Sequence, residues 1–408
     1  MDREFITNLG VVLEINPTSI TKQYPYDEIE YIDISSVGTG FFSGSTHMLL
    51  AEAPSRAKRL VEHGDTIIAM VRPNLRSFLY IKNPPKNMVV STGFAVLRPN
   101  NKINSRFLYY TVTNQKFTDY LSANVRGAAY PAVDTETFAR AKIWLPDLPV
   151  QEKIASILST YDDLIENNLR RIKILEEMAK TIYDEWFVKF RFPGHEKVKM
   201  VKSELGMIPD GWEVKKLGEV CDIIMGQSPE SKYYNNTGNG LPFHQGVKDF
   251  GTRFPTHTTY CTIDKRIAEK GDILFSVRAP VGRINIANSR IIIGRGLSAI
   301  RHKNLLQSFL FYQLKHIFIE EDKMGSGAIY NAVTKEDMIN IKLFFPDKRV
   351  DVQFNEFVGS MDIQIENLQS KIDNLRKTRD LLLPKLISGE IDVENLDIQT
   401  GDLNEPDV

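Results

Sequence analysis

The chain has 408 residues, 42% of them hydrophobic, a formal net charge of −1 and two cysteines, Cys221 and Cys261. That length admits two to four ordinary domains. No apolar run reaches the roughly 20 residues of a membrane helix, and the start, MDREFITNLG, lacks the charged-then-apolar pattern of a secretory leader. Two cysteines without metal-ligand spacing argue against a disulfide framework and for a reducing, cytoplasmic setting.

Residues 1–149 read as a first globular domain of mixed α/β type. DTIIAMV and STGFAVLRP have the branched and aromatic content of strands, bounded by Gly and Pro. SRFLYYTVTNQKFTDYL is spaced as a helix, with Phe107, Tyr110, Val112 and Phe117 on one side. GAAYPAV is a turn signal and AKIWLP a short strand stopped by proline.

At Gln151 the period changes to heptads, and 150–192 is predicted to be a spacer helix. Ile154, Tyr161, Asn168, Leu175 and Ile182 form one row of a coiled-coil seam, and Leu158, Ile165, Ile172, Ala179 and Trp186 the other. Asn168 is the polar break, a device for fixing register. Residues 193–205 form a linker with Lys197, Lys199 and Lys202. A second globular domain spans 206–349, and a second spacer helix 350–389. In that helix Phe354, Met361, Leu368, Leu375 and Leu382 face with Val358, Ile365, Ile372, Arg379 and Leu386. Pro384 is expected to end or kink it. The tail 390–408 is acidic and is expected to be disordered. Net charge is +2 over 1–150, zero over 151–205, +5 over 206–350 and −8 over 351–408. These values suit local basic patches without marking a polycation.

The two halves repeat one another. GDTIIAMVRP at Gly64 matches GDILFSVRAP at Gly271, FLYY at Phe107 matches FLFY at Phe309, and AAYPAV at Ala128 matches AIYNAV at Ala328. KIWLP, ending at Pro146, matches KLFFP, ending at Pro346, and DDLIEN at Asp162 matches DIQIEN at Asp362. The offset drifts from 207 to 200 and then holds. A helix of about 38 residues at about 1.5 Å per residue would carry the second copy about 55–60 Å away. The second heptad seam needs a partner, and the first helix within the same chain supplies it in antiparallel sense. The expected architecture is α+β: two globular domains joined by a pair of long antiparallel coiled-coil helices, pseudo-two-fold symmetric. Such an object suits a two-fold target, either another symmetric protein or duplex DNA.

Chemistry-bearing motifs are scarce. NPPK, Asn83–Lys86, has a lysine where an amino-methyltransferase motif needs an aromatic to stack the flipped base, and no Gly-rich cofactor loop accompanies it. It reads as a proline turn. There is no phosphate-binding GxxxxGK[ST] loop, no histidine spacing for a metal and no defensible catalytic triad. The candidates for DNA contact are basic and aromatic residues beside the repeated turns: Arg72, Arg76, Arg126 and Tyr130 in the first copy, and Arg278, Arg283, Arg295 and Tyr330 in the second. Arginine neutralises phosphate and grips guanine bidentately. For each, an ordinary solvated or packed side chain is the competing reading. Trp186 and Phe187 are expected in a core, with docking of a partner subunit as the alternative.

WFVKFRFPG after the first heptad helix, LLLPKLISGEI closing the second, PVQEKIASIL and GDILFSVRAPVG, in this order on a duplicated layout, resemble the DNA-specificity subunits of type I restriction–modification systems over about residues 1–395. The resemblance implies that each globular copy is a target-recognition domain. The two would read a bipartite, asymmetric site on double-stranded DNA, with half-sites on one face on the order of one turn apart or somewhat more. It implies two methyltransferase subunits and two motor–nuclease restriction subunits as partners. This chain would hold no cofactor: S-adenosylmethionine would be bound by the methyltransferase, and ATP with Mg by the motor. The rival readings are a methyltransferase with fused specificity and a coiled-coil interaction scaffold with no DNA role.

Overall fold

The computed structural model describes residues 6–39, 41–127, 131–318 and 332–400. The chain divides into two compact units, the first made of Met1–Asn167 with Ile372–Val408 and the second of Asn168–Lys371. Both cuts fall inside long helices, so each unit combines one globular part with stretches of both spacers.

In the first unit, one antiparallel sheet orders the strands Leu13–Ile15, Phe94–Pro99, Thr66–Ala69 and Phe78–Tyr80. A second orders Thr46–Leu49, Glu28–Ile32, Met88–Ser91 and Ala57–Leu60, with its central pair parallel. Thr66–Ala69 is buried throughout, the run expected of a strand covered on both faces. Ile32, Ile67, Val90, Phe94 and Val96 form the core between the sheets. STGFAVLRP is thus two strands' worth of residues, divided at Thr92–Gly93. The predicted single helix is also two, α1 (Ser105–Thr113) and α2 (Gln115–Ala123). Asn114 makes the break: its side-chain oxygen accepts the Phe117 N–H at 3.0 Å and starts a new helix. A short helix, α3 (Thr135–Arg140), follows, and Lys142–Trp144 then pairs with Ile6–Asn8.

The second unit repeats this plan. Cys221–Met225, Leu297–His302, Ile273–Ser276 and Ile284–Ile286 form the matching antiparallel sheet. Leu241–His244 lies parallel to Ile291–Ile293, which is flanked by Ile267–Ala268. Glu213–Lys216 pairs with Lys342–Phe345, as Ile6–Asn8 does with its own partner. The repeated Gly-Asp turn now has a physical reason. Gly64 and Gly271 have φ of +88° and +90°, a region that disfavours any side chain. The Asp65 carboxylate accepts Arg98 Nε at 2.9 Å, Arg98 Nη2 at 2.8 Å and the Glu62 N–H at 2.8 Å. Asp272 does the same with Arg301 at 2.6 and 2.7 Å and with the Glu269 N–H at 2.8 Å.

The spacer helices are α4 (Leu148–Tyr183) and α8 (Lys348–Leu386). In the first unit the start of α4, with Ile154 and Leu158, shares a core with Leu386 at the end of α8. In the second unit Ala179 and Tyr183 at the end of α4 share a core with Phe354, Val358 and Met361 at the start of α8. Start meets end in both units, so the pairing is antiparallel and within one chain. Ile154, Leu158, Ile165, Ile172, Ala179, Phe354, Val358, Met361, Ile365, Leu368 and Ile372 are buried, and Tyr161, Leu175, Ile182, Leu375 and Leu382 are half-buried. Asn168 is buried in its row, and Arg379 is paired across the seam, Nη1 lying 2.6 Å from Asp162 Oδ1. No helix among the described residues is long and apolar enough to cross a membrane.

Both helix ends are sealed by aromatic or glycine contacts. After α4 a π-helical turn, Asp184–Val188, puts Phe187 among Phe309, Phe354 and Trp212, with the first two ring centroids 4.7 and 4.9 Å away. The Phe187 side chain is core, as expected, and Trp186 is half-buried against Phe354. Pro384 lies in the last turn of α8, and the chain then turns at Gly389, φ +73°. A Cβ there would sit 2.9 Å from the Trp144 indole.

The tail departs from the expected disorder over its described part. Ile391, Val393 and Ile398 pack on the first unit's core, with Val393 buried. Lys153 Nζ donates to Glu394 O at 2.7 Å, and Ser156 Oγ to Gln399 O at 3.2 Å. Asp392, Glu394 and Asp397 point to solvent, so the acidic composition hid an alternating apolar anchor. Residues 401–408 lie outside the described residues.

The matching positions Gln151 and Asp351 differ in a way that predicts a pH effect. Gln151 is buried and satisfied: it accepts the Asn104 N–H at 2.8 Å and donates to Pro146 O at 2.7 Å. Asp351 is equally buried, accepts from Asn355 Nδ2 at 2.7 Å, and burial pushes its carboxyl up to about 7. An unfolded aspartate titrates near 3.9, so between about 4 and 7 the folded state holds the extra proton and stability falls as pH rises. Asp351→Asn is expected to flatten that window and to raise stability at pH ~8 by on the order of 1–3 kcal/mol. Denaturant melts at the two ends of the window check this, and an unchanged pH slope in the variant would refute it.

Candidate nucleic-acid interface

In each unit, three segments converge where the two sheets end. In the first, the Met70 N–H donates to Gly93 O at 2.8 Å, joining the loop after Thr66–Ala69 to the Thr92–Gly93 turn. The Thr92 N–H donates to Arg56 O at 2.8 Å, joining that turn to the edge strand Ala57–Leu60. In the second, the Val277 N–H donates to Gly296 O at 2.9 Å and the Ile293 N–H to Arg266 O at 2.8 Å. The corner is the same, and exposed cations crowd it: Arg72 in the first unit, and Arg266, Arg278 and Arg295 in the second.

The predicted residues sort themselves on this frame. Arg72 is exposed, with φ +48° and its N–H donating to Pro131 O at 2.9 Å. Arg278 is exposed and bridges Ala332 through its backbone. The two lie in the same loop but one residue out of phase. The Val133 N–H meets Met70 O and the Val333 N–H meets Val277 O, so Arg72 matches Ala279 and Arg278 matches Val71. Arg295 is exposed between Gly294 and Gly296, and its N–H donates to Ser228 Oγ at 3.3 Å. Arg283 is exposed one turn further on, with its N–H on Ser276 Oγ at 2.8 Å.

Two residues behave differently from the expectation. Arg76 is committed to the fold: Nη2 donates to Thr113 O at 2.9 Å, Nη1 reaches Gln115 Oε1, and the guanidinium lies 5.6 Å from the Phe78 ring centroid. It clamps the α1–α2 junction. Arg126 is exposed but paired with Asp134 at 2.9 Å. Hydrogen bonds from Thr137, and then the Arg126 charge, hold the Asp134 carboxyl below its usual range. Tyr130 and Tyr330 lie outside the described residues. Asn83 of NPPK has φ +44° and opens a turn. Among the described residues no group of three or more His, Cys, Asp or Glu could hold a metal ion.

Sequence reasoning missed the edge-strand arginines. The signal was present: KRLVEHGD, Lys58–Asp65, matches KRIAEKGD, Lys265–Asp272, at the 207 offset of the turn that follows. Arg59 is half-buried with Nη1 3.6 Å from Met70 Sδ, and burial lowers its guanidinium from the usual arginine value.

The family model described as "Type I restriction modification DNA specificity domain" matches the chain twice, over residues 6–177 and 209–377. The chain belongs to that family. Each match covers one globular part and most of the spacer helix after it. The chain is 34% identical over 316 residues to a relative named as the MjaX type I restriction enzyme specificity subunit of Methanocaldococcus jannaschii, covering 76% of this chain and 74% of the relative. It is 26% identical to the MjaIX type I specificity subunit of the same organism, covering 93% and 90%. The crystal structure of a type I restriction–modification S subunit from M. genitalium shares its fold with a TM-score of 0.58 at 14% identity, covering 94% of this chain and 95% of that one. In this DNA-specificity family the chain recognises DNA and does not catalyse.

Proposed function

We propose that this chain is the specificity subunit of a type I restriction–modification enzyme and reads a bipartite, asymmetric duplex site, with one half-site per unit. The observation that carries the reading is the double family match, with each match taking in the same cationic corner of two sheets. Phosphate contacts there would position each unit, and side chains of its diverged loops would read base edges. The two units carry different loop residues, Arg72 against Ala279 and Thr92 against Arg295, which favours two unlike half-sites. Adenine methylation would be performed by two methyltransferase subunits using S-adenosylmethionine, and cleavage by two motor–nuclease subunits using ATP and Mg, in the cytoplasm.

Mapping methylated adenines across the host genome, with and without this gene beside its intact methyltransferase partner, tests the reading. Loss of one bipartite motif is the expected result. An unchanged methylation map in cells shown to express the complex would overturn it, and would leave an interaction scaffold without a DNA role.

A further inference from the structure

The repeated block Lys58–Asp65 and Lys265–Asp272 contains both acids and bases, and the structure separates their uses. Glu62 and Asp65 both pair with Arg98, Glu269 pairs with Arg290, and Asp272 with Arg301. The acids are therefore each paired with an arginine of their own unit, Asp65 and Asp272 in burial and Glu62 and Glu269 at the surface. Arg59 and Arg266, from the same block, have no acidic partner among the described residues. Their positions are equivalent. Arg59 lies opposite Val90 on the neighbouring strand, and Ile267 lies opposite Ile292, which puts Arg266 opposite Ile293. Val90 and Ile293 both face the core between the two sheets, and cross-strand neighbours share a face. Arg59 reaches the loop that carries Arg72, with Nη1 3.6 Å from Met70 Sδ, and Arg266 is exposed immediately before the matching edge strand Ile267–Ala268.

An arginine half-buried without a counter-charge is unfavourable in an isolated fold. Arg59 is in that position, while Arg266 is exposed; an arginine without an acidic partner at the same register in two otherwise diverged units points to a shared anionic ligand. The two half-sites are unlike, so a contact common to both units cannot carry the sequence information that distinguishes them. The element common to both half-sites is the sugar–phosphate backbone. We infer that Arg59 and Arg266 are equivalent backbone-phosphate clamps, one per unit, that seat each recognition corner on duplex DNA. The inference rests on the DNA-reading function proposed above and names residues for it.

The test uses the full chain in complex with its methyltransferase partner, with a labelled duplex carrying the mapped motif and a duplex with both halves scrambled. Arg59→Gln and Arg266→Gln are each expected to weaken binding to both duplexes roughly 5–20-fold, to reduce the slope of log K against log salt by about 1, and to leave the methylated motif unchanged. Arg59→Lys and Arg266→Lys should restore most of the slope, because a lysine also neutralises phosphate. Circular-dichroism melts of each complex guard against misfolding, since a merely structural arginine would lower the melting point without restoring the slope as lysine. An unchanged affinity and slope in folded glutamine variants would overturn the inference while leaving the function standing. A relaxed motif at one base position would also overturn it, by making the contact a base reader. A wild-type complex that does not prefer the motif duplex would overturn the function and this inference together.

Discussion

Asp362→Ala should destabilise the second unit by about 3–5 kcal/mol, the cost of stranding a buried charge. Asp362 sits on α8 and accepts three side-chain donors: Arg253 Nη2 at 2.5 Å, Ser308 Oγ at 2.5 Å and Tyr312 Oη at 3.3 Å. Its guanidinium partner is only 3% exposed. Arg253 lies over the Phe311 ring, 4.6 Å from its centroid, and donates to Tyr312 Oη at 3.1 Å. With Asp362 removed, its remaining acid is Glu176 at 3.8 Å, too distant for a good hydrogen bond. Replacing both partners, Arg253→Met with Asp362→Leu, should recover most of the loss, since an apolar pair carries no desolvation penalty. Denaturant melts of the single and double variants decide this; equal losses in all three would show that packing, not charge, holds the contact. The first unit has a milder version. Asp162 takes Arg379 Nη1 and Tyr110 Oη, both at 2.6 Å, with Arg379 and Asp162 about a quarter exposed. Solvent screening there reduces the expected loss for Asp162→Ala to about 1–2 kcal/mol.

Exchanging residues 1–149 for the first domain of another family member is expected to replace one half of the methylated motif completely and to leave the other half intact. Each unit has its own inter-sheet core and its own corner, so no reading element needs to be shared. The exchange has one structural condition. The first unit's core also takes in Leu386, Ile387 and Val393 from the far end of the chain, and Gly389 leaves room for the Trp144 indole where a Cβ would crowd it. A donor domain that keeps an aromatic at the position of Trp144 should retain full methylation. One with a charged residue there should lose activity on both halves through instability. Methylation mapping of the exchanged complex checks the outcome, and persistence of the old motif, or change in both halves of a stable complex, would contradict it.

Much of this was legible without coordinates. The heptad rows from Ile154 to Ile182 and from Phe354 to Leu382 are the buried or half-buried stripes of α4 and α8. The repeated Gly-Asp turns and the matched strands of KIWLP and KLFFP were visible as repeats, and Phe187 was expected in a core. Other features were not. Asn114 reads as one more polar residue of a helix until its side chain is seen capping the next one. The tail reads as disordered because its acids dominate composition, while its anchors, Ile391, Val393 and Ile398, are too few to shift an average. Arg76 and Arg126 read like Arg72, as cations beside a turn, and only their partners separate them.

The sequence by itself determined the duplication, the two long helices with their apolar seams, and the family, because heptad periods, left-handed glycines and repeated motifs are written in neighbouring residues. Only the tertiary structure decided which arginines are spent on acids and which have no acidic partner among the described residues. Arg98 meets an aspartate 33 positions away and Arg253 one 109 positions away. Such pairings follow from strand register and helix docking, which leave no local period to read.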